Sequence, residues 1–380
     1  MKHLVFEAPA RLAWRETATP TLGGPGEALV RPLAVARCDL DAGILRGEAP
    51  FRGRALHWLR NHLPDRVGQR GLFRGAPFRG PFALGHECVA EVLSVGDDVT
   101  LVKRGDRVIV PFQISCGGCD RCRRGITASC TGVPPLSMYG FGDLGGRAWG
   151  GVLADVVRVP FADAMLVRAP TNVRSEWLAS AGDNVADGFR TVADPLAARP
   201  GARVLVVGGG ASSVGLYAVA SARALGASEV RYLDHDRARL AIAERLGAVV
   251  SEGPYRKVRV PAAITVDASA APEGLSAALL STEPGGVCTS VGIYYDARTP
   301  FPLLGAYGIG LTFLTGRVSS RTVVPHVLAL LADAKLEVGP VVTRLAAWED
   351  AIDAMLDPGV KTVIVRRGGS DTGSASPPSE

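Results

Sequence analysis

Four cysteines fall within fifteen residues, as Cys116-x2-Cys119-x2-Cys122-x7-Cys130. A stretch with that spacing is committed to folding around something small. Four thiolates this close can surround one ion tetrahedrally, and zinc takes a closed sulfur shell of this kind at structural sites. An iron–sulfur cluster also uses four cysteines, and four unrelated thiols are the bland reading. Gly117 and Gly118 let the backbone turn tightly enough for the sulfurs to converge. A closed shell has no open position, so this lobe, residues 112–132, is expected to be structural.

The compartment bears on that reading. The first residues, Met1–Phe6, run straight into Glu7 and Pro9 and form no signal-peptide core. Seven cysteines in 380 residues without such a signal point to a reducing cytoplasm, where clustered thiols bind metal more often than they pair. Cys88 and Cys288 fall on predicted strands and read as buried, inert thiols. No apolar run approaches the ~20 residues of a membrane span. At this length two domains are expected. With 47% apolar residues, disorder and a disulfide-stapled miniprotein are excluded.

A second motif fixes half of the chain. Val204-Leu-Val-Val-Gly-Gly-Gly-Ala-Ser-Ser-Val-Gly215 reads as strand, glycine turn and helix start, and Asp234 follows nineteen residues after Gly215. That is the layout of a dinucleotide-binding βαβ unit, with the pyrophosphate at the helix N-terminus and the acid on the adenosine ribose. Gly210, Ser212, Ser213, Val214 and Gly215 are the expected cradle. Ser212 stands where the middle glycine is usual, so its Cβ crowds the pyrophosphate while its hydroxyl, or that of Ser213, can donate to it. Asp234 repels a 2′-phosphate and favours NAD(H) over NADP(H).

Periodicity extends the picture. Residues 1–160 show short alternating strands, among them 27–35, 88–95 and 107–110, as in an antiparallel barrel. From residue 202, strands at 202–207, 229–234, 263–267 and 287–291 alternate with helices at 214–225, 237–246 and 273–281, which implies a doubly wound parallel sheet. Segments 323–331 and 348–356 look helical and 361–365 reads as a closing strand. The expected domains are 1–160 with 300–368, then 161–299, then a disordered tail over 369–380.

An open metal site is also legible. Cys38 follows one β-like run, His86 in Gly-His-Glu precedes another, and Asp183 opens the αβ half. One thiolate, one imidazole and one carboxylate leave a fourth position for water or a substrate oxygen. Each residue alone is a weak signal; their company with the four-cysteine lobe and the glycine turn raises it.

These motifs, in this order, resemble the zinc-containing medium-chain dehydrogenase/reductase family, the alcohol dehydrogenases, over roughly residues 1–367. The resemblance implies a GroES-like β catalytic domain interrupted by a Rossmann domain, two Zn2+ per chain, and homodimers or homotetramers. It implies Cys38, His86 and Asp183 as catalytic zinc ligands, Asp183 standing where many members carry Cys, as in the formaldehyde-dehydrogenase branch. Asp41 then orients the ligand histidine, and Glu87 can approach zinc during ligand exchange. Phe112 matches a substrate-pocket position, Asp234 and Arg239 ribose contacts, and Lys361 a pyrophosphate contact. Nicotinamide is expected near Val291 and Ile293. The implied activity is hydride transfer between NAD(H) and an alcohol/carbonyl pair.

Two departures qualify this. The family's proton-relaying Ser or Thr, two residues after the first zinc cysteine, is Leu40 here. A zinc-bound water, Glu87, Asp39, His57 or His62 is left to carry the proton. The same departure leaves reduction of a C=C or C=N bond, or redox-neutral chemistry, as the alternative; a nucleotide-binding scaffold is a third reading. The second departure is the insertion 46–80, which holds eight Arg against Glu48 and Asp65, a local +6 within a chain of net +5. It reads as a solvated loop, as an oligomer contact, or as a lid for an anionic or polar substrate, with a short helix over Leu56, Leu59 and Leu63. No DNA- or RNA-binding module surrounds that charge, so a nucleic-acid partner is not expected.

Overall fold

Alternating inward-facing residues and short turns build the first half as antiparallel sheet. In the computed structural model, which describes residues 1–46, 80–143, 147–294, 298–357 and 359–367, its strands are β1 (Lys2–Ala8), β2 (Arg11–Glu16), β3 (Ala28–Ala36), β4 (Phe82–Ala83), β5 (Glu87–Val95), β6 (Arg107–Val110), β7 (Val157–Val159) and β8 (Val167–Arg168). β3 and β5 pair antiparallel from Ala28↔Val95 to Ala36↔Glu87. That register sets Cys38, just past the end of β3, and His86, just before β5, at one end of the sheet. A short helix α1 (Asp39–Arg46) leaves from there. The expected helix over residues 56–63, the body of the insertion and the tail 369–380 lie outside the described residues.

The second half is doubly wound. β9 (Val204–Val207), β10 (Val230–Asp234), β11 (Val249–Glu252), β12 (Ala262–Asp267), β13 (Thr282–Ser290) and β14 (Thr312–Thr315) form a parallel sheet in the order β11-β10-β9-β12-β13-β14. β9 and β12 are buried at every position, as befits strands covered on both faces. β15 (Arg344–Ala347) and β16 (Thr362–Val365) then return to the first sheet, where β16 pairs antiparallel with β3. The parallel sheet therefore runs to Thr315, past the boundary at 299 expected from sequence, and β8 on β6 holds the chain in the antiparallel sheet to Arg168, past 160.

Helices α2 (Asn184–Arg190) and α3 (Ser212–Ala224) lock the halves together. Gly188 makes this possible: a Cβ there would stand 2.7 Å from the Ala218 amide and 2.8 Å from Tyr217. Leu178, Ala181 and Val185 bury into a core shared by Ala36 and Val89 of one sheet and Val204 and Val206 of the other. Each such side chain contributes about 1.5–3 kcal/mol of burial, so the junction is a core rather than a hinge-like seam. The start of α2 is thereby pressed beside the start of α3.

Candidate active site

Three elements deliver the first cluster: the turn after β3, the residue before β5, and the start of α2. Ligand atoms of Cys38, His86, Glu87 and Asp183 all lie within 4.8 Å of one another. Asp183 occupies the N-cap position of α2, where an aspartate side chain would ordinarily accept from the helix amides, but it makes no such bond. Its Oδ2 stands 3.3 Å from His86 Nε2. Two ligands of a tetrahedral zinc, each about 2.1 Å from the ion, stand about 3.4 Å apart. Sulfur, imidazole and carboxylate at this separation suit zinc.

Behind the imidazole, His86 Nδ1 faces Asp41 Oδ1 at 3.4 Å. Neither atom has a hydrogen bond elsewhere among the described residues. Asp41 is fully buried, and its Oδ2 accepts from the Cys38 amide at 3.1 Å. The rings of Phe112 and Phe141 lie 5.8 and 4.6 Å from the imidazole. The sequence reading missed Phe141. Its flanking glycines are the signal: Gly140 has φ +81°, and a Cβ there would meet the Gly85 carbonyl at 2.6 Å. Leu40 packs on the apolar core.

Glu87 points into the protein. Its Oε1 accepts from Lys361 Nζ at 2.8 Å, and Lys361 also donates to the Arg37 carbonyl at 3.0 Å. Both side chains are wholly buried. Burial pushes the Glu87 carboxyl up to about 7, against the pull of Lys361 and with the push of Asp183. Lys361 therefore sits beside Glu87 of the first cluster and within the electrostatic reach of Asp39. Burial, then Asp183, also raises the Cys38 thiol. A cation supplies the counter-charge such a thiolate needs.

Asn184, also missed, joins this cluster to the glycine turn. With its side-chain amide assigned so that the nitrogen faces the two carboxylates, it reaches Asp183 Oδ2 at 2.9 Å and Glu87 Oε1 at 2.7 Å while its oxygen accepts from Ser213 Oγ at 2.8 Å. Ser213, Val214 and Gly215 lie in the first turn of α3. At Gly215 a Cβ would stand 2.9 Å from Ala268, so glycine lets the helix close on β12. Val214, Ala268 and Val291 share a small apolar cluster, and Ile293 beside them is exposed.

Asp234 ends β10 fully buried. Its oxygens accept from Tyr232 Oη at 2.8 Å, from the His235 and Asp236 amides, and from Arg239 through Nε at 2.7 Å and a second guanidinium nitrogen at 2.8 Å. Asp234 and Arg239 thus meet each other directly. Burial opposes the charge of Asp234, but Arg239 and Tyr232 hold its carboxyl below the ordinary value.

The four-cysteine lobe is a second cluster, with all four Sγ within 4.8 Å of one another. Cys130 Sγ lies 3.5 Å from Cys116 Sγ and 3.9 Å from Cys119 Sγ, bracketing the about 3.8 Å expected between sulfurs of a tetrahedral zinc. Amides of Cys116 and Gly132 donate to Cys130, and those of Cys122 and Thr131 to Cys119. Thr131, by side chain and amide, and the Cys122 amide bring the Cys119 thiol down to about 5, poised as a thiolate.

The family described as "Alcohol dehydrogenase GroES-like domain" matches residues 24–171, and "Zinc-binding dehydrogenase" matches residues 213–333. The medium chain reductase/dehydrogenase ucsI of Acremonium sp. is 31% identical over 252 residues, which cover 65% of this chain and 74% of that protein. The glutathione-independent formaldehyde dehydrogenase of Pseudomonas aeruginosa (strain LESB58) is 37% identical over 176 residues, 44% of this chain and 43% of that one. Among solved structures, the alcohol dehydrogenase TADH from Thermus sp. ATN1 superposes with a TM-score of 0.81 at 30% identity, covering 97% of this chain and all of that chain.

Proposed function

The chain belongs to the zinc-containing medium-chain dehydrogenase/reductase family, and from that premise we propose that it transfers hydride between NAD(H) and an alcohol/carbonyl pair. Membership makes it an oxidoreductase that uses zinc and a nicotinamide cofactor. The observation that carries the finer reading is the convergence of Cys38, His86 and Asp183, tied through Asn184 to the start of α3. When bound there, zinc acts as a Lewis acid on the substrate oxygen, and the nicotinamide accepts or returns the hydride.

The chain's own residues do the rest. Cys38, His86 and Asp183 hold the ion, Asp41 aligns the imidazole, and Lys361 draws Glu87 back from the open position. Phe112 and Phe141 keep water from the reacting face. Val291 and Ile293 flank the nicotinamide, and Cys116, Cys119, Cys122 and Cys130 hold a second, structural zinc. NAD(H) is the preferred carrier because Asp234 and Asp236 crowd the ribose position with negative charge, although Arg239 offsets one of them. The local likeness to a formaldehyde dehydrogenase supports a small carbonyl or polar substrate. Seven free thiols suit the cytoplasm, and the active form is a homodimer or homotetramer. Because Leu40 offers no hydroxyl, reduction of a C=C or C=N bond stands as the second reading.

Metal analysis tests the open site. Wild type should carry two zincs per chain and His86→Ala one; one zinc in both removes it. An NADH absorbance screen over alcohols, aldehydes, polyols and enones separates the two chemistries.

A further inference from the structure

Asp39 follows the metal ligand Cys38 and opens α1, yet its carboxylate reaches across to the other domain. Oδ1 accepts from Ser212 Oγ at 2.9 Å, and Oδ2 accepts from the Ser213 amide at 3.0 Å and lies 3.0 Å from Ser213 Oγ. These donors form the N-terminal turn of α3, a helix of 13 residues entered from the glycine loop. The positive end of such a helix, with its unpaired amides, is where this βαβ unit would hold a pyrophosphate. The amides just upstream are already spent: Gly210 donates to the Ser269 carbonyl at 2.8 Å and Ala211 to the Ala268 carbonyl at 3.0 Å. Of the donors in this first turn, the Ser213 amide and the Ser212 and Ser213 hydroxyls are thus taken by a carboxylate of the chain itself.

We propose that Asp39 is a resident occupant of the pyrophosphate site, an internal anion that latches the catalytic domain onto the Rossmann domain and must swing out before a dinucleotide binds. The inference rests on the dinucleotide reading above. Ser213 gives it a second support. Its hydroxyl has one proton and two acceptors in reach, Asp39 Oδ2 at 3.0 Å and the Asn184 oxygen at 2.8 Å. Displacing Asp39 leaves that proton to Asn184, whose nitrogen holds Asp183 and Glu87. The latch and the metal cluster therefore compete for one hydroxyl, which couples cofactor arrival to the order of the metal ligands. A latch closed about nine-tenths of the time lowers apparent cofactor affinity about tenfold.

The test uses the zinc-loaded full chain, with NADH followed by fluorescence and ADP-ribose, which has the pyrophosphate but no nicotinamide, by calorimetry. Asp39→Ala should bind both about tenfold tighter than wild type. Asp39→Asn, which keeps the shape and loses the charge, should gain less. In both variants the Tm without ligand should fall while the rise on adding ADP-ribose grows, a pair of opposite signs that a merely structural contact would not give. Unchanged or weaker binding in either folded variant, with wild type still binding, overturns the latch and leaves the dinucleotide reading standing. If neither wild type nor variants bind either ligand at millimolar concentration, the dinucleotide reading fails and the latch with it.

Discussion

At the scale of single residues, charges in this protein are matched before any ligand arrives. Asp234 is the clearest case. A free acid at the end of the second strand would turn a 2′-phosphate away, but this one is buried against Arg239, Tyr232 and two amides. Removing the carboxylate leaves Arg239 unpaired and able to meet a phosphate. Asp234→Ala should therefore raise the affinity for NADPH relative to NADH, measured as a fall in Kd(NADPH)/Kd(NADH); a rising ratio contradicts this. The same pair sets a pH signature. The native carboxyl lies below its unfolded value of about 3.9. Its contribution is then complete above that value and lost as pH falls through the lowered one. Breaking a buried pair costs about 3–5 kcal/mol, so wild type should exceed Asp234→Asn in urea unfolding by that order from pH 5 to 7. The gap should begin to narrow below about pH 4 and go on narrowing as pH falls toward the lowered native value, and a gap that does not change with pH argues against the pairing.

At the scale of elements, what could be read from sequence and what could not divide along burial. β9 and β12 were plain because apolar runs buried on both faces admit little else. β11 and β14 were missed, and both are sheet edges whose residues are mostly exposed, so neither alternation nor an apolar run marks them. Cys38 and His86, which the structure brings together with Asp183, were legible as candidate ligands because chemistry restricts what those residue types do in such company. The Lys361–Glu87 pair and the role of Asn184 were not legible, since the partners lie 274 and 97 residues apart and depend on how the domains dock. That docking rests on α2 against α3. Gly188→Ala should cost about 1–3 kcal/mol in unfolding, because a Cβ there meets backbone at Ala218 and Tyr217. It should also shift Asp183 and Asn184, which begin the same helix. Timed chelation should then release one zinc sooner than from wild type, with the four-cysteine zinc unaffected. Unaltered stability would show that the helices have slack.

At the scale of the whole molecule, the parallel sheet ends abruptly. β14 pairs with β13 on one side, and no strand among the described residues pairs with its other edge. The helix before it, α4 (Leu303–Ile309), leaves Leu303, Leu304 and Tyr307 exposed at 69%, 85% and 83%, with Leu314 of β14 also exposed. An open strand edge beside a contiguous apolar patch is a liability that a monomer would blunt with charge or cover. A second copy of the chain, related by a two-fold axis, would cover both at once, with β14 paired to its own image and each patch against the other. The active form should therefore have at least twice the 39.6 kDa mass of the chain by light scattering. Leu304→Asp combined with Tyr307→Asp places four like charges on that axis and should at least halve the observed mass. Neither residue belongs to either candidate metal cluster, so zinc content should hold. A wild type of single-chain mass would remove the self-association, a doubly substituted protein of unchanged mass would move the interface elsewhere, and either would leave the apolar edge without an occupant.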